Sequence, residues 1–255
     1  MLNELHERET TLRQFFNLAP DTALLKQDAV IPDISSTVAA HLARFNIEWH
    51  IIPSAEAVPF DDEYVSRLYP TRSRNFAQPD YQGESLRDAI KISHHQRQGL
   101  IVGIESTRKP HYHHNNRQFY GTVYGHDATA DPFAPYLSQA GFTSSTRYAH
   151  NYIPLREFVN LVMDDWRSRS LLPSGYRLTI CSPAAFNLVG TIFHPEWSET
   201  ESLELGFYRD EKGNAHCFAV GSNASHDYSY IQRIETDSDW TYLGFRLALV
   251  PEGAG

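Results

Sequence analysis

Cysteine is nearly absent from this sequence, and the scarcity narrows the chemistry open to it. Only Cys181 and Cys217 occur in 255 residues. That is too few for the disulfide framework of a small secreted domain, so a reducing compartment, the cytoplasm, is expected. Long apolar runs are lacking as well. No stretch approaches the ~18 apolar residues of a membrane span, and the opening MLNELHERETTLRQFF is polar, without a signal-peptide pattern. No membrane partner is expected. Positive charge is in deficit, with 22 Lys and Arg against 31 Asp and Glu and a net charge of −9. Coating nucleic acid needs concentrated cations against phosphate, so no nucleic-acid partner is expected either. A glycine-rich phosphate loop and a Gly-x-Ser-x-Gly elbow are both missing. Ser182 in CSPAAF is followed by proline, which does not suit a nucleophile that opens a helix. Both cysteines sit in or at the end of apolar runs, where a thiol serves as a small buried hydrophobe.

Apolar and aromatic residues are plentiful: 41% of the chain is apolar, with 14 Tyr beside 14 Phe. That is enough for a large core. The expected class is α+β, a mainly antiparallel twisted sheet with packed helices, in a single domain over residues 1–255. A possible subdivision separates a helical or mixed region, 1–80, from a core, 81–255, at the polar stretch Thr71 to Gly83.

Periodicity predicts a helix from Leu5 to Phe16 and a second capped by Ser35 or Ser36, then a strand from Ile47 to Ile52. Asp61, Asp62 and Glu63 suit the start of a further helix, where acidic side chains complement the dipole. Leu86 to His95 reads as helix, LIVGIES from Leu100 as a buried strand, and Arg117 to Tyr124 as an aromatic strand. After Pro154 a helix places Leu155, Phe158, Val159, Val162, Met163 and Trp166 on one face. From Leu172 the pattern becomes short apolar runs, YRLTIC, FNLVGTIF, LELGFY, HCFAVG and YLGFRLALV, which predict strands and turns. The last of these is expected inside a sheet on which one long helix packs.

The order of that helix, GYRL at Gly175, FNLVG at Phe186, AVGSN at Ala219 and LGFRLAL at Leu243 resembles the sulfatase-modifying-factor branch of the C-type lectin fold, over about residues 130–250. The resemblance implies a C-type-lectin-like C-terminal half. It does not extend to formylglycine generation, because GSNASHDYSY from Gly221 lacks the cysteine pair that binds copper in that branch. Nor is the His-x3-His-x-Glu motif of the related iron-dependent sulfoxide synthases present in the N-terminal half. The resemblance instead implies a ligand-facing surface in the C-terminal loops, formed by His226, Asp227, Tyr228, Tyr230, Trp240 and Tyr242, with Asp237 and Asp239. Tyr and Trp there supply contact area at low entropic cost, and polar neighbours adapt their hydrogen bonds.

Histidine is abundant, 13 in all, and concentrated in His94, His95, His111, His113, His114 and His126. A His-x-His pair on a strand turns both imidazoles to one face. His111 and His113 are therefore candidate ligands of a transition metal, with His126, Asp127, or Glu196 beside His194 as further ligands. The same tract, KPHYHHNNR, also has the composition of a solvated loop.

Two functions follow. One is a module that binds a small molecule or a protein, with calcium as its possible ion. The other is a mononuclear metal-dependent oxidoreductase using the His-rich segment 94–126.

Overall fold

Short polar residues ahead of apolar stretches start three of the helices. Ser35 caps α2 (Ser36–Arg44) by accepting the Val38 N–H at 3.2 Å. Asp61 accepts the Tyr64 N–H at 2.8 Å and caps α3 (Asp62–Leu68). Ser182 accepts the Ala185 N–H at 3.2 Å, with Pro183 preset for the first helical position. A computed structural model describes residues 1–68, 99–107, 131–140, 147, 152–199, 203–209, 215–221, 230–237 and 243–254.

The described chain runs from α1 (Leu2–Phe16) and α2 into β1 (Ile47–Ile52), α3 and β2 (Leu100–Glu105). It continues through α4 (Ala134–Gln139), α5 (Tyr152–Ser168) and β3 (Tyr176–Ile180) to α6 (Pro183–Phe193) and a 3₁₀ turn, Pro195–Glu199. Five strands close it: β4 (Leu203–Arg209), β5 (Ala215–Gly221), β6 (Tyr230–Ile234), β7 (Leu243–Phe245) and β8 (Leu247–Pro251).

The strands form two four-stranded sheets, ordered β1-β2-β8-β3 and β6-β5-β4-β7. Every pairing is antiparallel except β4 with β7. The class is thus α+β with mostly antiparallel sheets. The closing LGFRLALV run lies inside the sheets as expected, but it serves both of them. It leaves the second sheet at Phe245 and enters the first at Leu247, with Arg246 at the crossing.

α5 packs its predicted face inward. Leu155, Phe158, Val162 and Trp166 are fully buried, each large apolar side chain contributing roughly 1.5–3 kcal/mol. It begins at Tyr152, so Pro154 falls in the first turn, where a missing N–H breaks no helical bond. The FNLVGTIF run is a correction: it is helix, not strand. It lies in α6, whose residues Pro183 to Gly190 are all buried. An apolar run buried all round has no periodicity to separate helix from strand, and the Ser-Pro start settles it. Among the described residues the C-terminal region accordingly contributes two helices, and strands to two sheets, rather than one helix and one sheet. Gly206 of β4 lets α6 sit close, since a Cβ there would stand 2.8 Å from Pro183 Cγ.

A charged cluster is buried between the sheets. Arg147 forms a two-point pair with Asp131, at 2.6 and 2.7 Å, and reaches Glu105 at 2.7 Å. Arg246 forms a two-point pair with Glu204 at 2.8 and 3.0 Å and donates to the backbone carbonyls of Glu105 and Thr107. Its guanidinium lies 3.8 Å from the centre of the Trp197 ring.

Candidate metal centre

Strand β1 carries two polar residues in an otherwise apolar run, IEWHII. Alternation turns Ile47, Trp49 and Ile51 to one face and Glu48 and His50 to the other. α1 and α6 pack against this strand. His194, which ends α6, closes the group. One ligand atom from each of Glu48, His50 and His194 lies within 4.8 Å of the other two.

The environment gives each ligand a distinct state. His194 Nδ1 bonds Glu196 Oε1 at 2.9 Å, which orients the ring and leaves Nε2 toward Glu48 Oε2, 3.6 Å away. A carboxylate behind a histidine in this way fixes the orientation of the ring. The ring is also stacked on Trp197, centroids 4.7 Å apart and 7° from parallel. His50 is completely buried beside Phe193 and His194. Burial holds its pKa well below the ordinary 6.5, helped by the positive Arg8 and by His194, so the ring is neutral and a competent ligand. The Glu48 carboxyl is held well below the usual carboxylate range, first by His194 and then by Ser106 and Arg8, against the opposing effect of burial.

Arg8 of α1 reaches into the same group. Its Nη1 lies 2.6 Å from His50 Nδ1 and also against Nε2, and its Nη2 pairs with Glu48 and, at 2.8 Å, with Glu4.

Two imidazoles and one carboxylate from three protein residues make a donor set suited to a borderline divalent transition ion, and three ligands would leave coordination positions open. The thiols offer no alternative nucleophile: burial pushes both Cys181 and Cys217 up to about 12.

Of the residues expected from sequence, His194 and Glu196 lie here: His194 offers a nitrogen to the group, while Glu196, whose carboxylate was the expected ligand, is hydrogen-bonded to its other nitrogen. Glu48 and His50 were not anticipated, although the Glu-x-His alternation on a predicted strand is the signal that singled out His111 and His113. His111, His113, His126 and Asp127 lie outside the described residues, as do His94, His95 and His114. So do His226, Asp227, Tyr228, Asp239, Trp240 and Tyr242. Tyr230 begins β6, and Asp237 is exposed just beyond it. The expected elements Leu86 to His95 and Arg117 to Tyr124, and the stretch Thr71 to Gly83, also fall outside the described set.

Among the described residues no helix is long and apolar enough to cross a membrane. Comparison with protein-family models, with curated proteins and with solved structures gives no match.

Proposed function

We propose that this chain is a mononuclear metal-dependent enzyme, an oxidoreductase, with its ion held by Glu48, His50 and His194. One observation carries the reading: three ligand atoms of mixed imidazole and carboxylate type within 4.8 Å, the outer histidine already oriented by Glu196. Exposed acidic groups cluster often without an ion, whereas here a fully buried imidazole, a second histidine and a carboxylate converge from two separate elements. A bound ion would supply Lewis acidity or redox change at its open positions. The protein's share is to hold His50 neutral, to orient His194 through Glu196 and to keep Glu48 ionised. A cytoplasmic location belongs to the same reading and is supported by two buried cysteines that are not joined.

The test is metal analysis of protein purified without a histidine tag, followed by cobalt(II) and zinc(II) titration. One ion per chain, lost in Glu48→Gln and in His194→Gln, supports the centre. Iron, manganese or copper favours the oxidoreductase, and zinc a hydrolytic reaction. Failure to bind any of these ions at millimolar concentration sinks the proposal.

A groove favours a second reading, ligand recognition on a C-type-lectin-like scaffold. It encloses about 440 Å³ between α5 and β3, with Arg156, Asn160, Arg177 and Thr179 beside the apolar Val159 and Phe207. Such walls suit a small amphipathic carboxylate. The C-terminal loop residues His226 to Tyr242 would contribute separately, and alanine at Tyr228, Tyr230 and Trp240 tests them. Lost binding at unchanged thermal stability supports recognition there, and collapse of stability assigns these aromatics to the core.

A further inference from the structure

Resting on the metal-centre reading, we infer that Arg8 is an internal cation that competes with a metal ion for Glu48, His50 and His194 and must leave before an ion binds. One guanidinium contacts both Glu48 and His50. A neutral imidazole has one lone pair, which accepts either the Arg8 N–H or a metal ion, not both. The ligand atoms lie within 4.8 Å of one another, so a divalent ion at their centre would also stand beside a fixed positive charge. Arg8 and the ion are therefore alternatives.

The side chain is placed both to fill the site and to leave it. Arg8 is mostly covered and lies over the Phe193 ring at 5.6 Å, while His50 beneath is fully buried. Glu4, one helical turn earlier on α1, pairs with Arg8 Nη2 at 2.8 Å and is partly exposed. Glu4 offers the guanidinium a partner on the solvent side once Glu48 and His50 release it. Metal binding is thus coupled to the packing of the first two turns of α1 on β1.

The experiment uses zinc(II) and the full chain in three forms: wild type, Arg8→Gln, and Arg8→Gln with His50→Gln. Arg8→Gln is expected to bind zinc at least tenfold more tightly than wild type, and the double variant to lose that gain. Equal or weaker binding by Arg8→Gln, where wild type binds, overturns the role of Arg8 and leaves the three-ligand centre standing. No binding by either wild type or Arg8→Gln overturns both. A second readout needs no variant to fold: amide hydrogen exchange in residues 2–9 of wild type is expected to quicken at saturating zinc. Unchanged or slower exchange there overturns the displacement.

Discussion

The cluster between the sheets and the cluster over β1 both combine arginine with carboxylates, yet their surroundings differ. Between the sheets, two guanidiniums and the carboxylates of Glu105, Asp131 and Glu204 are matched by two-point pairs and by backbone groups, all nearly or completely buried. Over β1, imidazoles replace one of the arginines, the carboxylates are partly exposed, and a single arginine is shared among Glu4, Glu48 and His50. The first arrangement has no donor or acceptor to lend without breaking a buried charge pair. On the proposed reading, the second has nitrogen lone pairs and a cation that can be exchanged. Residue type does not separate the two clusters; the exposure of the carboxylates and the sharing of a single arginine do.

The sharpest way to break this contrast is at the crossing between the sheets. Arg246→Met should destabilise the protein by about 3–5 kcal/mol in urea unfolding, because it leaves Glu204 buried without its partner. A loss below about 1 kcal/mol would mean that the buried pair does not hold the junction. Next in size is Gly206→Ala, where the new methyl meets the Pro183 ring at 2.8 Å and α6 must shift. The expected loss is about 1–3 kcal/mol by the same measurement, and a stabilised variant would show that the contact relaxes freely. His194→Gln, by contrast, should change the stability of metal-free protein by under about 1 kcal/mol. A loss matching that of Arg246→Met would make the β1 cluster structural and erase the distinction.

The smallest effect concerns a histidine outside both clusters. His41 is buried against Trp166, and burial lowers its pKa below 6.5, with Arg169 and Arg44 acting in the same direction and Asp165 opposing. The folded protein then binds this proton less readily than the unfolded chain. Its contribution to stability is complete above pH 6.5 and is lost as the pH falls below that value. Thermal melting across pH 7 to 5 should show a shallower decline for His41→Gln than for wild type, and parallel curves would refute the assignment.

Much of the local structure was legible in the sequence, and for physical reasons. Ser35, Asp61 and the face from Leu155 to Trp166 carry their signals within a few residues, as capping groups and 3.6-residue periodicity. IEWHII and LIVGIE read as strands because β-branched residues crowd there. The α6 run misled because complete burial removes periodicity. Half of the candidate centre, His194 with Glu196, drew notice through its own short motif, while Glu48 and His50 looked like ordinary polar positions of a strand.

By itself, then, the sequence determined α1, α2, α5, β1 and β2, that a large aromatic core exists, and that Glu48 and His50 share a face if residues 47–52 are extended. Only the tertiary structure decided that β8 runs between β2 and β3, that Arg246 bridges two sheets, and that Arg8, His50 and His194 meet. Those outcomes join residues 42 to 186 positions apart. Capping and periodicity act over a few residues, whereas such meetings depend on how whole helices and sheets bury their apolar faces against one another.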